Sequence, residues 1–142
     1  MAAEEKENWV LAVATLIGAV VYYAVVIPRL IGSPAAEVEY VAPLLWTAGA
    51  VIVASIVGYV VIAAFWPQEL DKRDVRDKQI HRFGEYVGSP LMVVGAGVAL
   101  VLAMLEVDHF WIANAVYLSA VLSSLLGSAT KVAAYRGAVR AW

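Results

Sequence analysis

The sequence predicts an all-α fold, a four-helix transmembrane bundle with a cytoplasmic amphipathic helical extension before the third helix. Three observations predict it. Four stretches of 19 to 26 residues carry no charge. A dense run of charge, residues 67–85, separates the second stretch from the third. The whole 142-residue chain is 63% hydrophobic and 15% charged, with mean hydropathy +0.78, whereas soluble domains carry roughly 25% charged residues. Lipid is the expected solvent for one integral membrane domain, 1–142.

The first span, 9–27, is long enough at about 1.5 Å per residue to cross a hydrocarbon core of roughly 30 Å. The acidic start Met1-Ala-Ala-Glu-Glu-Lys-Glu-Asn8 lacks the basic n-region of a signal peptide and is expected to be retained. Pro28 and Gly32-Ser33-Pro34 break the apolar pattern, and residues 28–40 read as an exposed connection. The second span, 41–66, has Trp46 and Trp66 towards its ends and Pro67 just beyond it. The third, 86–105, contains Gly88-Ser89-Pro90, which predicts a kink or a restart because Pro90 has no amide donor. Only Glu106-Val-Asp-His109 then precedes the fourth, 110–130, so these two spans form a tight antiparallel hairpin. The tail from Lys131 is basic.

Charge sets the expected orientation. With four spans, both termini and the hinge share one side, which holds Lys6, Lys72, Arg73, Arg76, Lys78, Arg82, Lys131, Arg136 and Arg140; the other side holds Arg29 alone. The positive-inside rule makes termini and hinge cytoplasmic in a prokaryotic inner membrane. Trp9, Trp66, Tyr86 and Tyr135 fall at that inner boundary, and Tyr22, Tyr23, Tyr40, Trp46 and Trp111 at or near the outer one. Helices in lipid associate through close backbone approach, so spaced small residues mark contact faces. These are Ala50, Ala54 and Gly58 on the second span, Gly95, Ala99 and Ala103 on the third, and Ser119, Ser123 and Gly127 beside Ala120, Ser124 and Ser128 on the fourth. The fourth helix is therefore expected to be the central packing element.

In the hinge, helical spacing gathers Asp74, Asp77, His81 and Glu85 into an arc of roughly 80°, with Val75, Ile80, Phe83 and Val87 on the other side. Carboxylates with one imidazole suit a divalent metal or proton transfer. The same residues equally suit an exposed, ion-paired helix, with Asp74 one turn from Lys78 and His81 one turn from Asp77 and Glu85. Glu37, Glu39, Glu106, Asp108 and His109 form an acidic set on the opposite face; either they attract cations or acidic residues collect where basic ones are excluded. Inside the spans no residue is ionisable in the charge-carrying sense of Asp, Glu, Lys, Arg or His, which speaks against an ion path within one chain. Asn114, Tyr117, Ser124 and Ser128 share one polar face of the fourth span, for interhelical hydrogen bonds or a small ligand.

No metalloprotease, hydrolase-elbow, P-loop or dinucleotide motif is present, so no enzyme is expected. Two histidines on opposite membrane faces argue against bis-histidine haem within the chain. The absence of cysteine excludes disulfides and thiolate sites, and net charge -2 gives no sign of nucleic-acid binding. Expected partners are the lipid bilayer and a second copy or another membrane protein. No cofactor is expected unless the hinge holds a metal. The leading function is a non-enzymatic scaffold or accessory subunit. The alternatives are an oligomeric transporter or channel, or metal sensing at the hinge.

The residues Leu70-Asp-Lys-Arg-Asp-Val-Arg-Asp-Lys-Gln-Ile80, set between the second and third of four spans, resemble a group of small four-span prokaryotic membrane proteins. That group has an Asp-Glu-Arg-Asp-like cytoplasmic segment at this place. Asp71, Arg73 and Asp74 match the pattern, and Lys72 replaces its usual acidic residue. The resemblance, from about Glu69 onwards, implies a four-helix membrane fold and no particular activity.

Overall fold

A computed structural model describes residues 3–67 and 75–138. Among them are four long helices, α1 (Ala3–Gly32), α2 (Val41–Phe65), α3 (Val75–Met104) and α4 (His109–Tyr135), with a short 3-10 turn at Ala35–Glu37 between α1 and α2. All four are long and apolar enough to cross a membrane, and the described residues contain no strand.

The helices run alternately up and down. At one end Tyr135 of α4 reaches Glu4 of α1 and Asp77 of α3, and the Lys6 ammonium lies 4.0 Å from the Trp66 ring centroid just beyond α2. Both ends of the described chain and the hinge therefore share one end of the molecule, as alternating passes require. At the other end, Tyr22, Val26, Val38 and Phe110 form a buried apolar cluster, with Leu30, Tyr40 and Leu44 packed against it.

Extensive packing joins α2 to α1, α1 to α4 and α4 to α3. The helices thus form a series α2, α1, α4, α3, in which α4 contacts both α1 and α3. Its small residues explain that central place. A Cβ on Gly88 would come within 2.7 Å of the Ser123 carbonyl oxygen, one on Gly84 within 2.9 Å of the Gly127 oxygen, and one on Gly95 would collide with the Ser119 side chain. The α1–α2 contact uses one glycine from each partner: Gly18 faces Val51 and Gly58 faces Val10, each with 2.5 Å for a Cβ. Valine methyl groups fill the space that the missing side chains leave, which is how apolar helices gain dispersion contact in lipid.

Three helix boundaries follow from the structure. Helix α1 continues through Pro28 to Gly32, because Leu30 packs on the buried cluster and Arg29 donates to the Glu39 carbonyl at 2.7 Å. These contacts hold the last turn against the loss of one amide donor. Helix α3 covers Val75–Met104, so the described hinge residues from Val75 onwards are helical and continuous with the third span. It also runs unbroken through Gly88-Ser89-Pro90. Pro90 leaves the Tyr86 carbonyl without its usual amide, and the Ser89 hydroxyl donates to that oxygen at 3.4 Å, the repair that hydroxyl side chains provide in membrane helices. The small-residue faces match in part. Gly58 of α2 and Gly95 and Ala99 of α3 pack against neighbouring helices, whereas Ala50, Ala54 and Ala103 are exposed; on α3 the packed face also includes Gly84 and Gly88, on the side of the helix that carries the acidic stripe.

Candidate functional site

The hinge residues singled out by sequence are distributed among several contacts. Asp71, Arg73 and Asp74 lie outside the described residues. On the first turns of α3, Asp77 is half-buried and its Oδ1 lies 3.1 Å from the Tyr135 hydroxyl, which also stands 2.7 Å from Glu4 Oε2. Burial, foremost, and the two carboxylates hold the Tyr135 phenol above its ordinary range, so it is a donor. His81 is exposed. Glu85 Oε1 accepts from Lys131 Nζ at 2.7 Å. Among the described residues no three histidine or carboxylate side chains come together to hold a metal ion. Glu37, Glu39, Glu106, Asp108 and His109 are all exposed at the opposite end.

The polar face of α4 divides into two halves. Towards the end away from the hinge, the Tyr22 hydroxyl donates to Asn114 Oδ1 at 2.9 Å, and Asn114 Nδ2 donates to the Phe110 carbonyl at 2.8 Å. Tyr22 also meets Tyr117 edge to face, 4.7 Å between ring centroids. That half is occupied by α1–α4 packing. Ser124 and Ser128, by contrast, line a cavity of about 330 Å³ between α1, α3 and α4.

Polar groups of α3 and α4 converge on this open space at the hinge end. Its walls are Gly84, Gly88 and Met92 of α3, Ala120, Ser123, Ser124, Gly127 and Ser128 of α4, and Leu11 of α1, with Glu85 and Lys131 at one end. Lys131 is only 5% exposed. Its aliphatic stem crosses the bare backbone of Gly84, where a Cβ would collide with it, and its head is held by Glu85. A buried ammonium needs such a partner. By composition alone Lys131 belongs to a basic tail. The signal that marks it out is spacing: Ser124, Ser128 and Lys131 stand at i, i+4 and i+7, and so share one helix face.

The Lys131 hydrogen bond and charge outweigh the effect of burial and lower the Glu85 carboxyl below its ordinary 4.5. A depressed carboxylate stabilises the folded protein fully above its unfolded value and loses that contribution as pH falls through the lower, folded one. The thermal stability of the wild type should therefore fall below about pH 4.5 by more than that of Glu85→Gln. Parallel melting curves from pH 7 downwards check this.

No known family, curated protein or solved structure matches the chain.

Proposed function

We propose that the protein is a non-enzymatic membrane scaffold or accessory subunit that self-associates through the outer flank of α2. It would sit in a prokaryotic inner membrane with both termini and the hinge in the cytoplasm. One observation carries the reading: in the most apolar window of α2 only 6% of residues are buried within the chain. Helix α2 rests on α1 through Thr47, Val51, Ser55, Gly58 and Ile62, and the flank bearing Ala50 and Ala54 is uncovered. Small residues one turn apart on a lipid-facing side favour close approach of a second helix. The distribution of basic residues supports the orientation. Transport within a single chain finds less support, because the outer half of the polar α4 face is filled by the Tyr22–Tyr117–Asn114 contact.

The natural chain has no cysteine, so single cysteines report contacts without background. Ala50→Cys and Ala54→Cys should give disulfide-linked dimers in native membranes on mild oxidation. Ile62→Cys, buried against α1, should not. Crosslinks of equal yield all around α2 would indicate random collision, and none at either alanine would refute the interface.

A further inference from the structure

The cavity at Lys131 has a polarity gradient along the membrane normal. Glu85 and Lys131 stand just outside the uncharged stretches 86–105 and 110–130, the level at which hydrocarbon gives way to lipid headgroups. One turn deeper is Ser128 and two turns deeper Ser124; with Ser123 they line the cavity and make no hydrogen bond among the described residues. Ser128 is 2% exposed, and its side chain forms part of the cavity wall. Deepest is Ala120, one turn beyond Ser124; Met92 lies near the level of Ser124, and Leu11 of α1 lies beside the serines. From Lys131 to Ala120 the helical rise is roughly 16 Å.

We propose that this cavity binds a zwitterionic phospholipid with a primary ammonium close to its phosphate, a headgroup of the phosphatidylethanolamine type. Charge balance selects it. Lys131 and Glu85 neutralise each other at 2.7 Å. A purely anionic headgroup would take Lys131 and leave Glu85 unpaired, and a cation would do the reverse. A neighbouring phosphate and ammonium satisfy both. The side chains differ in freedom in the way this exchange requires: Lys131 is fixed across Gly84, whereas the Glu85 side chain is 64% exposed and can turn to meet the ammonium. The serine hydroxyls then donate to the glycerol ester carbonyls, and the start of one acyl chain lies against Leu11, Met92 and Ala120. This ligand uses the three levels of the cavity in their order, and it is independent of the α2 interface.

The test uses full-length protein, purified in detergent and stripped of lipid, titrated with phosphatidylethanolamine, phosphatidylcholine and phosphatidylglycerol of identical acyl chains. Binding is read by native mass spectrometry and by the shift in melting temperature. The ethanolamine lipid should bind one per chain and raise the melting temperature. The choline lipid, whose nitrogen has no N–H for Glu85, and the anionic glycerol lipid should bind about tenfold more weakly, the scale of one lost charge-assisted hydrogen bond. Glu85→Gln should abolish the preference, and Ser124→Ala with Ser128→Ala should weaken ethanolamine-lipid binding by about tenfold at unchanged melting temperature of the stripped protein. Equal binding of the three lipids, or a preference that survives in both variants, overturns the proposal. So does full competition by soluble phosphoethanolamine, which would make the site one for a solute.

Discussion

Gly88→Ala should destabilise the protein by about 1–3 kcal/mol, the usual cost of forcing a methyl group into packed space. The added Cβ would stand 2.7 Å from the Ser123 carbonyl oxygen. Backbone cannot move aside as a side chain can, so α3 must shift away from α4 along the whole glycine column. Gly95→Ala meets a different obstacle, the side chain of Ser119. This distinction gives the prediction its discriminating power. Ser119→Gly should recover most of the loss caused by Gly95→Ala, whereas Ser123→Gly should recover none of the loss caused by Gly88→Ala. Unfolding in mixed micelles, arranged as two double-mutant cycles, measures both couplings.

Tyr22→Ala should cost about 3–5 kcal/mol, as removal of a buried aromatic ring generally does. Tyr22 is wholly buried and packs edge to face on Tyr23 and Tyr117. It also joins α1 to Asn114 of α4 by its hydroxyl. Tyr22→Phe keeps the ring and loses that bond, worth about 0.6 kcal/mol on average between membrane helices. The order expected in the same assay is wild type, then Tyr22→Phe close behind, then Tyr22→Ala far below. A large loss for Tyr22→Phe would shift the weight of the α1–α4 contact from ring packing to the hydrogen bond.

The spans are legible because lipid removes ambiguity: an uncharged, apolar stretch of about 20 residues matches the bilayer thickness and little else. The central position of α4 is legible too, since Ser119, Ser123 and Gly127 advertise close approach. Side-chain polarity marks helix ends less well. Pro28 and Pro90 look like breaks in a sequence, yet each lies within a helix because its lost hydrogen bond is small beside the packing of Leu30 or is offset by Ser89. At the hinge, local spacing presents the acidic stripe as a unit facing one way. In the structure Asp77 turns to Tyr135 and Glu85 to Lys131, partners roughly 50 residues away that no local periodicity could reveal. The cavity is hidden for a similar reason: glycines on α3 make it, and an absent side chain signals packing as readily as space.

The order α2, α1, α4, α3 also bears on how the chain assembles during synthesis. Each outer helix leans on its immediate sequence neighbour, α2 on α1 and α3 on α4. The chain is therefore two local hairpins, each able to pack as soon as its second helix has entered the bilayer. Their one extensive joint is α1 against α4, the most distant pair in sequence. Joining the two hairpins, with Tyr22 and Tyr135 as its fastenings, needs both to be present, so the first half of the protein cannot complete its packing until the second has been made.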